Sequence, residues 1–206
     1  MTDPPYRIVT DRLVLRCWEL ADAPKLAEAV EASLDHLSPW MPWAATYPQP
    51  LSETVALLRG FRGRFDLGKD FTYGIFSKDE SEVVGGTGLH TRQGSDGLEI
   101  GYWIRKSRAG EGLATELSAA LTRVAFELCG ADRVVIRVEP RNEASAAIPR
   151  KLQFAEEAQL RRRLRFGPDD EPRDAVIFSL FRDTYPGTPC EAAQVQAFDA
   201  LGERLL

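Results

Sequence analysis

Three stretches of the chain carry groups that could do chemistry. The first is Ala109-Gly110-Glu111-Gly112-Leu113-Ala114-Thr115, where two glycines stand between a β-rich segment and a helical apolar pattern. Glycine lets the main chain approach a ligand closely, and the first free N–H groups of a helix point at an anion with the helix dipole behind them. The stretch is therefore a phosphate cradle or a glycine-assisted tight turn. A P-loop needs Lys and then Ser or Thr after its last glycine, where this chain has Leu113 and Ala114. A dinucleotide fingerprint needs Gly or Ala where Thr115 stands, and Asp132 precedes the next strand instead of ending it, as a ribose-binding acid would. The second stretch is Asn142-Glu143-Ala144-Ser145, with Asn142 suited to cap a helix. The third pairs two titratable residues, Glu99 within a strand and His90 at the end of another. A carboxylate partly buried there would be raised toward neutrality, whereas an exposed one paired with Arg would be structural; His90 is a base or a plain strand-end residue.

The bulk numbers narrow the classes. The chain has 206 residues, 44% hydrophobic and 28% charged, as expected of one soluble globular domain. No apolar run approaches the roughly 20 residues needed to cross a bilayer, and the amino terminus has no basic start or apolar stretch, which predicts no membrane partner and a cytoplasmic protein. Cys17, Cys129 and Cys190 are widely spaced and only His36 and His90 accompany them, so neither a disulfide framework nor a metal site is indicated. A net charge of −5 argues against nucleic acid as a partner. Arg161-Arg162-Arg163-Leu164-Arg165 is the local exception: a solvated strand face balanced by Glu156 and Glu157, or a substrate-docking patch.

The elements that must position these residues follow from periodicity. Arg12 to Trp18 alternates as a strand, Asp22 and Pro24 start a helix carrying Leu26, Val30, Leu34 and Leu37, and Ser52 caps a second one through Phe65. Phe71–Ser77, Glu82–His90 and Leu98–Ile104 form an antiparallel meander. A helix from Leu113 to Leu128 stops at Gly130, a strand runs from Arg133 to Val138, a short helix covers Ala144 to Leu152, and two long strands span Ala155–Phe166 and Arg173–Arg182 around a turn at 167–172. The order predicts an α/β (α+β) domain with a mixed, mostly antiparallel seven-stranded sheet and about four helices. Val195, Phe198, Leu201 and Leu205 would line one side of a terminal helix in 187–206, packed on the domain at 1–186 or pairing with a second subunit as a homodimer.

Taken together, Leu98-Glu99-Ile100-Gly101-Tyr102-Trp103-Ile104, the glycine loop, Asn142-Glu143-Ala144-Ser145 and Lys151-Leu152-Gln153-Phe154 resemble the GNAT superfamily. Thr10 to Arg16 and His36-Leu37-Ser38-Pro39-Trp40-Met41-Pro42-Trp43 resemble its RimJ/RimL branch, which acetylates ribosomal-protein N-termini. The match runs in the family's order over about residues 7 to 185. The family loop is Arg/Gln-x-x-Gly-x-Gly/Ala; here Ala109 holds the first place and Arg108, one residue early, could supply the charge. Gln153 replaces the usual glycine of Leu-Gly-Phe, which puts the chain path there in doubt.

The resemblance implies an N-acyltransferase fed by acetyl-CoA or another acyl-CoA, with no metal. It places the diphosphate on the amides of residues 109–115 and pantetheine on the backbone of Tyr102, Trp103 and Ile104. It puts Asn142 against the cofactor, or as a helix cap, and the Ser145 hydroxyl near the departing sulfur. Glu99 would be the general base, with His90 the alternative. Trp40, Met41, Trp43 and Tyr47 would line the acceptor side. The acceptor is an amine, first a protein N-terminal α-amine, then a small-molecule amine; a noncatalytic acyl-CoA-binding module is the contrasting reading.

Overall fold

The computed structural model describes residues 2–166 and 171–206, so positions 167–170 of the turn expected at 167–172 lie outside the described residues, and Glu171 and Pro172 already belong to a strand. Arg7–Val9 (β1) and Leu13–Cys17 (β2) lead to Ala23–Glu31 (α1), the single turn Leu34–Leu37 (α2) and Leu51–Asp66 (α3). Then come Phe71–Ser77 (β3), Val83–His90 (β4), Gly97–Ile104 (β5), Leu113–Glu127 (α4), Arg133–Val138 (β6), Glu143–Lys151 (α5), Ala155–Phe166 (β7), Glu171–Phe181 (β8) and Gln196–Phe198 (β9). These strands form one sheet in the order β7-β8-β6-β5-β4-β3-β2-β1-β9. Every neighbouring pair is antiparallel except β5 and β6. Parallel neighbours need a crossover connection, and α4 is that connection.

Alternation along the strands fills two apolar layers. Leu98 and Ile100 of β5 and Val134 and Ile136 of β6 meet Leu117, Leu121 and Val124 of α4 in the larger one, with Ala146 and Ile148 of α5. Val14, Trp18 and Phe76 meet Leu26 and Val30 of α1 and Leu58 of α3 in the smaller. On the face of the smaller layer Arg16 is tied to Asp22 and Glu80 at 2.6 to 2.8 Å, with its guanidinium 3.9 Å above the Phe76 ring.

Several expectations need correction. The sheet has nine strands among the described residues, not seven, because two three-residue strands, too short to show alternation, pair at its far edge. The helix expected in 187–206 is absent: β9 pairs with β1, and Gly202 at φ +82 turns the chain back so that Leu205 N–H reaches Ala197 O. Ala197 is buried while Leu201 is 86% exposed, so the supposed apolar stripe does not exist. Ser52 does not cap α3, which starts at Leu51 behind Pro50. The first helix breaks into α1 and α2 at Ser33, a fully buried residue whose hydroxyl donates to Ala29 O and accepts the Lys106 N–H.

Gln153 settles the path after α5. It adopts the left-handed conformation, φ +64, that a glycine would adopt freely, and Phe154 N–H still reaches back to Pro149 O. A side chain in that conformation is strained, while glycine costs entropy in the unfolded chain. Gln153→Gly is therefore expected to raise stability by about 0.5–1 kcal/mol, read as a higher urea midpoint at unchanged slope; a lower midpoint would contradict the strain.

Candidate active site

The site begins where two strands part. β5 and β6 are in register from Gly97↔Arg133 to Ile100↔Ile136 and no further, although β5 runs on to Ile104 and β6 to Val138. β5 keeps its pairing with β4 throughout, and β6 keeps its pairing with β8 to Val138, so each strand follows its other neighbour. Residues 101–104 are left with one backbone edge free of β6. Tyr102 bridges the opening: its phenol lies 3.1 Å from Ser145 Oγ and 3.3 Å from Ser145 O, at the start of α5. Burial pushes the Tyr102 phenol up to about 12, partly offset by that bond, so it stays protonated at neutral pH. Asn142 caps α5, its Oδ1 accepting the Ser145 N–H at 3.1 Å, which is how the hydroxyl of Ser145 is brought to the gap.

At the far end of β5 the glycine loop opens α4. Gly110 and Gly112 both have left-handed φ, +83 and +79, and Gly112 is the N-cap. Among the described residues the N–H groups of 110–114 make no hydrogen bond, leaving a row of donors at a helix N-terminus. A diphosphate fits that row. Arg108 is already committed: it donates to both oxygens of Glu111 at 2.9 and 3.0 Å and to Glu82 at 2.8 Å. The cation laid against the loop backbone is Arg12, whose Nη1 donates to Glu111 O at 2.9 Å while its Nε holds Glu116.

Between the gap and the connection from α2 to α3 lies a cavity of about 940 Å³. Trp40, Met41, Trp43, Tyr47, His90, Glu99, Tyr102, Trp103, Asn142 and Ser145 all line it, from four separate segments of the chain. Ile104 and residues 108–115 do not line it. Trp43 stands edge-on to Trp103 at 5.7 Å and to Tyr47 at 6.2 Å. Glycines on the sheet make room for two of the rings: a Cβ at Gly86 would meet Trp103 Nε1 at 2.6 Å, and one at Gly88 would meet His90 Cε1 at 2.6 Å.

The polar end of the cavity contains residues that sequence reasoning did not single out. His90 and Glu99 face one another across β4 and β5. Glu99 is 5% exposed; Oε2 accepts from Gln93 at 2.7 Å and Oε1 from Arg137 at 3.4 Å, with Arg92 at 3.8 Å. His90 Nδ1 is 2.8 Å from Asp70 Oδ1. Burial opposes ionisation of Asp70, but the bond and charge of His90, with Arg92 and Arg64 behind, hold its carboxyl below the usual aspartate value. An ionised Asp70 only accepts, so Nδ1 carries a proton, and in the neutral tautomer the lone pair is on Nε2. Asp70 could have been found only from strand register: it stands one residue before Phe71, the partner of Leu89. All three cysteines are buried and outside the cavity, and among the described residues no group of side chains could hold a metal.

Known proteins share this fold. Residues 12–155 match a family model described as an acetyltransferase (GNAT) domain. Over 182 residues the chain is 28% identical to an Escherichia coli K12 protein named ribosomal protein uS5-alanine N-acetyltransferase, covering 86% of this chain and 91% of that one. Mycobacterium smegmatis RimJ, solved with CoA-disulfide, superposes with a TM-score of 0.76 or better, namely 0.80, at 24% identity over 92% of this chain and 94% of that one. The microcin C7 self-immunity acetyltransferase MccE, solved with acetyl-CoA and AMP, gives 0.76 at 19% identity over 84% and 93%.

The Asp70–His90 pair makes a pH-dependent prediction. A carboxyl held below its unfolded value contributes stability above that value and loses it as pH falls through the folded one. Asp70→Asn should lower the unfolding free energy at pH 7, and the gap to the parent should close as the pH is taken below about 4. A gap constant from pH 7 to 3 would show that the Asp70 charge is not engaged.

Proposed function

Because this chain belongs to the GNAT acetyltransferase family, we propose that it transfers an acetyl group from acetyl-CoA directly to the free α-amine of a protein N-terminus. The observation that carries the reading is the free edge of β5 beside a wide cavity lined by Glu99, His90, Tyr102 and Ser145. An unpaired strand edge suits the amides of the pantetheine arm by strand addition, and a cavity of about 940 Å³ has room for the first residues of a polypeptide. The Escherichia coli relative, named for the alanine of a ribosomal protein, supports an N-terminal acceptor.

Bound acetyl-CoA supplies the acyl group as an activated thioester. The N–H groups of 110–114 hold its diphosphate, and the backbone of 101–104 holds its arm. Glu99, fixed by Gln93 and Arg137, attracts the acceptor ammonium. An amine is nucleophilic only after losing its proton. His90 takes that proton at Nε2, because Asp70 holds the proton on Nδ1, whereas both oxygens of Glu99 are already engaged by donors. As the acceptor nitrogen bonds to the acyl carbon and the carbon–sulfur bond breaks, the nitrogen gives up its second proton to the Tyr102–Ser145 hydroxyl pair, which passes one on to the departing sulfur and stays protonated. No acyl-enzyme is needed: burial raises Cys17 and Cys190 to about 11 and Cys129 to about 12, so none is a ready thiolate.

A second reading, a small-molecule amine, is favoured by the wall of Trp43, Trp103 and Tyr47, which suits a flat ring; MccE, solved with AMP, is a fold neighbour. Mass spectrometry of N-terminal peptides and small amines incubated with acetyl-CoA separates the two. Acetylation of peptide α-amines is expected; modification of small amines alone would overturn the protein acceptor. Within the site, His90→Ala should cut kcat by about 10²–10³-fold, with partial rescue by added imidazole. Glu99→Gln should mainly raise the acceptor KM. The reverse pattern would move the base to Glu99.

A further inference from the structure

The Arg161-Arg162-Arg163 run has no part in the chemistry above, and the structure gives it an unusual form. In the β7–β8 pair the register passes from Leu160↔Ala175 to Leu164↔Arg173, so residues 161–163 stand opposite Asp174 alone. Arg162 lies at φ +56, a conformation that costs a branched-out side chain strain, and its N–H donates to Asp174 Oδ1 at 2.9 Å. All three arginines are exposed. The nearby carboxylates are occupied elsewhere: Glu156 binds Arg150, Glu157 binds Ser179, and Glu171 binds Arg173. Among the described residues neither Arg161 nor Arg163 forms an ion pair. Among the described residues, Asp174 is thus the one carboxylate left facing three arginines, in a protein whose net charge is −5.

The bulge also lies against the active-site mouth. Leu164, next to Arg163, lines the cavity together with Phe166. Arg173, the partner of Leu164, donates to Pro39 O at 2.8 Å, on the segment that leads to Trp40 and Trp43. An extended chain advances about 3.3 Å per residue, so a polypeptide whose first residues fill the cavity brings its next several past this bulge.

We infer that the bulge at Arg161–Arg163 is a docking surface for an acidic segment of the acceptor polypeptide, a few residues beyond the N-terminus that is acetylated. This rests on the protein-acceptor reading and adds to it a sequence preference outside the catalytic cavity. Carboxylate side chains are the matching chemistry: they pair with guanidinium in bidentate fashion. A nucleic-acid backbone would meet the same arginines but would be repelled by the acidic remainder of the surface.

The test uses the whole protein and the double variant Arg161→Ala/Arg163→Ala, whose substituted side chains make no hydrogen bond or ion pair among the described residues. Two peptides share their first four residues; one continues in Asp and Glu, the other in Ser and Gly. At low salt the acidic peptide should show a KM about tenfold lower, with equal kcat. That advantage should vanish in the double variant and at high salt, while the Ser/Gly peptide is unaffected by the substitutions. Equal KM values for both peptides in the parent protein, or an equal rise for both in the variant, would overturn the docking surface and leave the acceptor reading standing. Binding of single-stranded RNA, lost in the variant while the peptides do not discriminate, would also overturn it. Acetylation of a small amine and of neither peptide would remove both the acceptor reading and the surface.

Discussion

The structure depends on one geometric constraint: β5 and β6, the sole parallel neighbours in the described sheet, pair only as far as Ile100 and Ile136. A parallel pair needs its connection to cross over, so α4 must begin near the end of β5 and run back along the sheet. This puts the unpaired N–H groups of the glycine loop at the same end as the freed strand edge. An open strand edge within a sheet is a liability unless something covers it. Here α5, capped by Asn142, sets Ser145 against Tyr102 across the opening, and the edge behind them is the one proposed to take a ligand's amides. Glycine loop, strand edge and hydroxyl pair are consequences of one divergence.

The other wall gives up sheet stability for space. Gly86 and Gly88 weaken β4, since glycine in a strand loses entropy on folding and packs nothing. In exchange the Trp103 indole and the His90 imidazole lie close over the strand backbone. Trp103 then meets Trp43 from the α2–α3 connection, and His90 turns its second nitrogen away from Asp70. The sheet is thus open where it faces the cavity and densely filled where α4 packs, with Leu117, Leu121 and Val124 all fully buried.

What was legible in the sequence was local. Alternation marked the seven longer strands, helical spacing marked α1, α3, α4 and α5, and the glycine loop and Asn142 cap lay where their backbone chemistry requires. The cavity wall was also legible, but through resemblance and not through periodicity, because its members come from segments far apart in the chain. Strands β1 and β9 were hidden by their length and by their dependence on each other for pairing. Asp70, Arg92, Arg137 and Arg12 were hidden for a different reason: each acts through a partner supplied by strand register or by tertiary contact. Arg137, for example, reaches Glu99 because Val135 is the register partner of Glu99 and Arg137 lies two residues on, on the same face.

The fate of Arg108 shows how the loop must work. Position and charge suggested a phosphate partner, yet its guanidinium is matched by Glu82 and Glu111. Arg12 lies along the loop backbone but its Nε is matched by Glu116. With both cations neutralised by neighbours, net positive charge at the loop is small, and under the proposed function attraction to a diphosphate would come from the row of N–H groups and the dipole of α4. Such donors are fixed in direction and cost no ordering when a ligand arrives, unlike long cationic side chains. They also exist only while Gly110 and Gly112 keep left-handed φ, so the anchor's strength resides in two backbone angles and not in a charge that salt could screen.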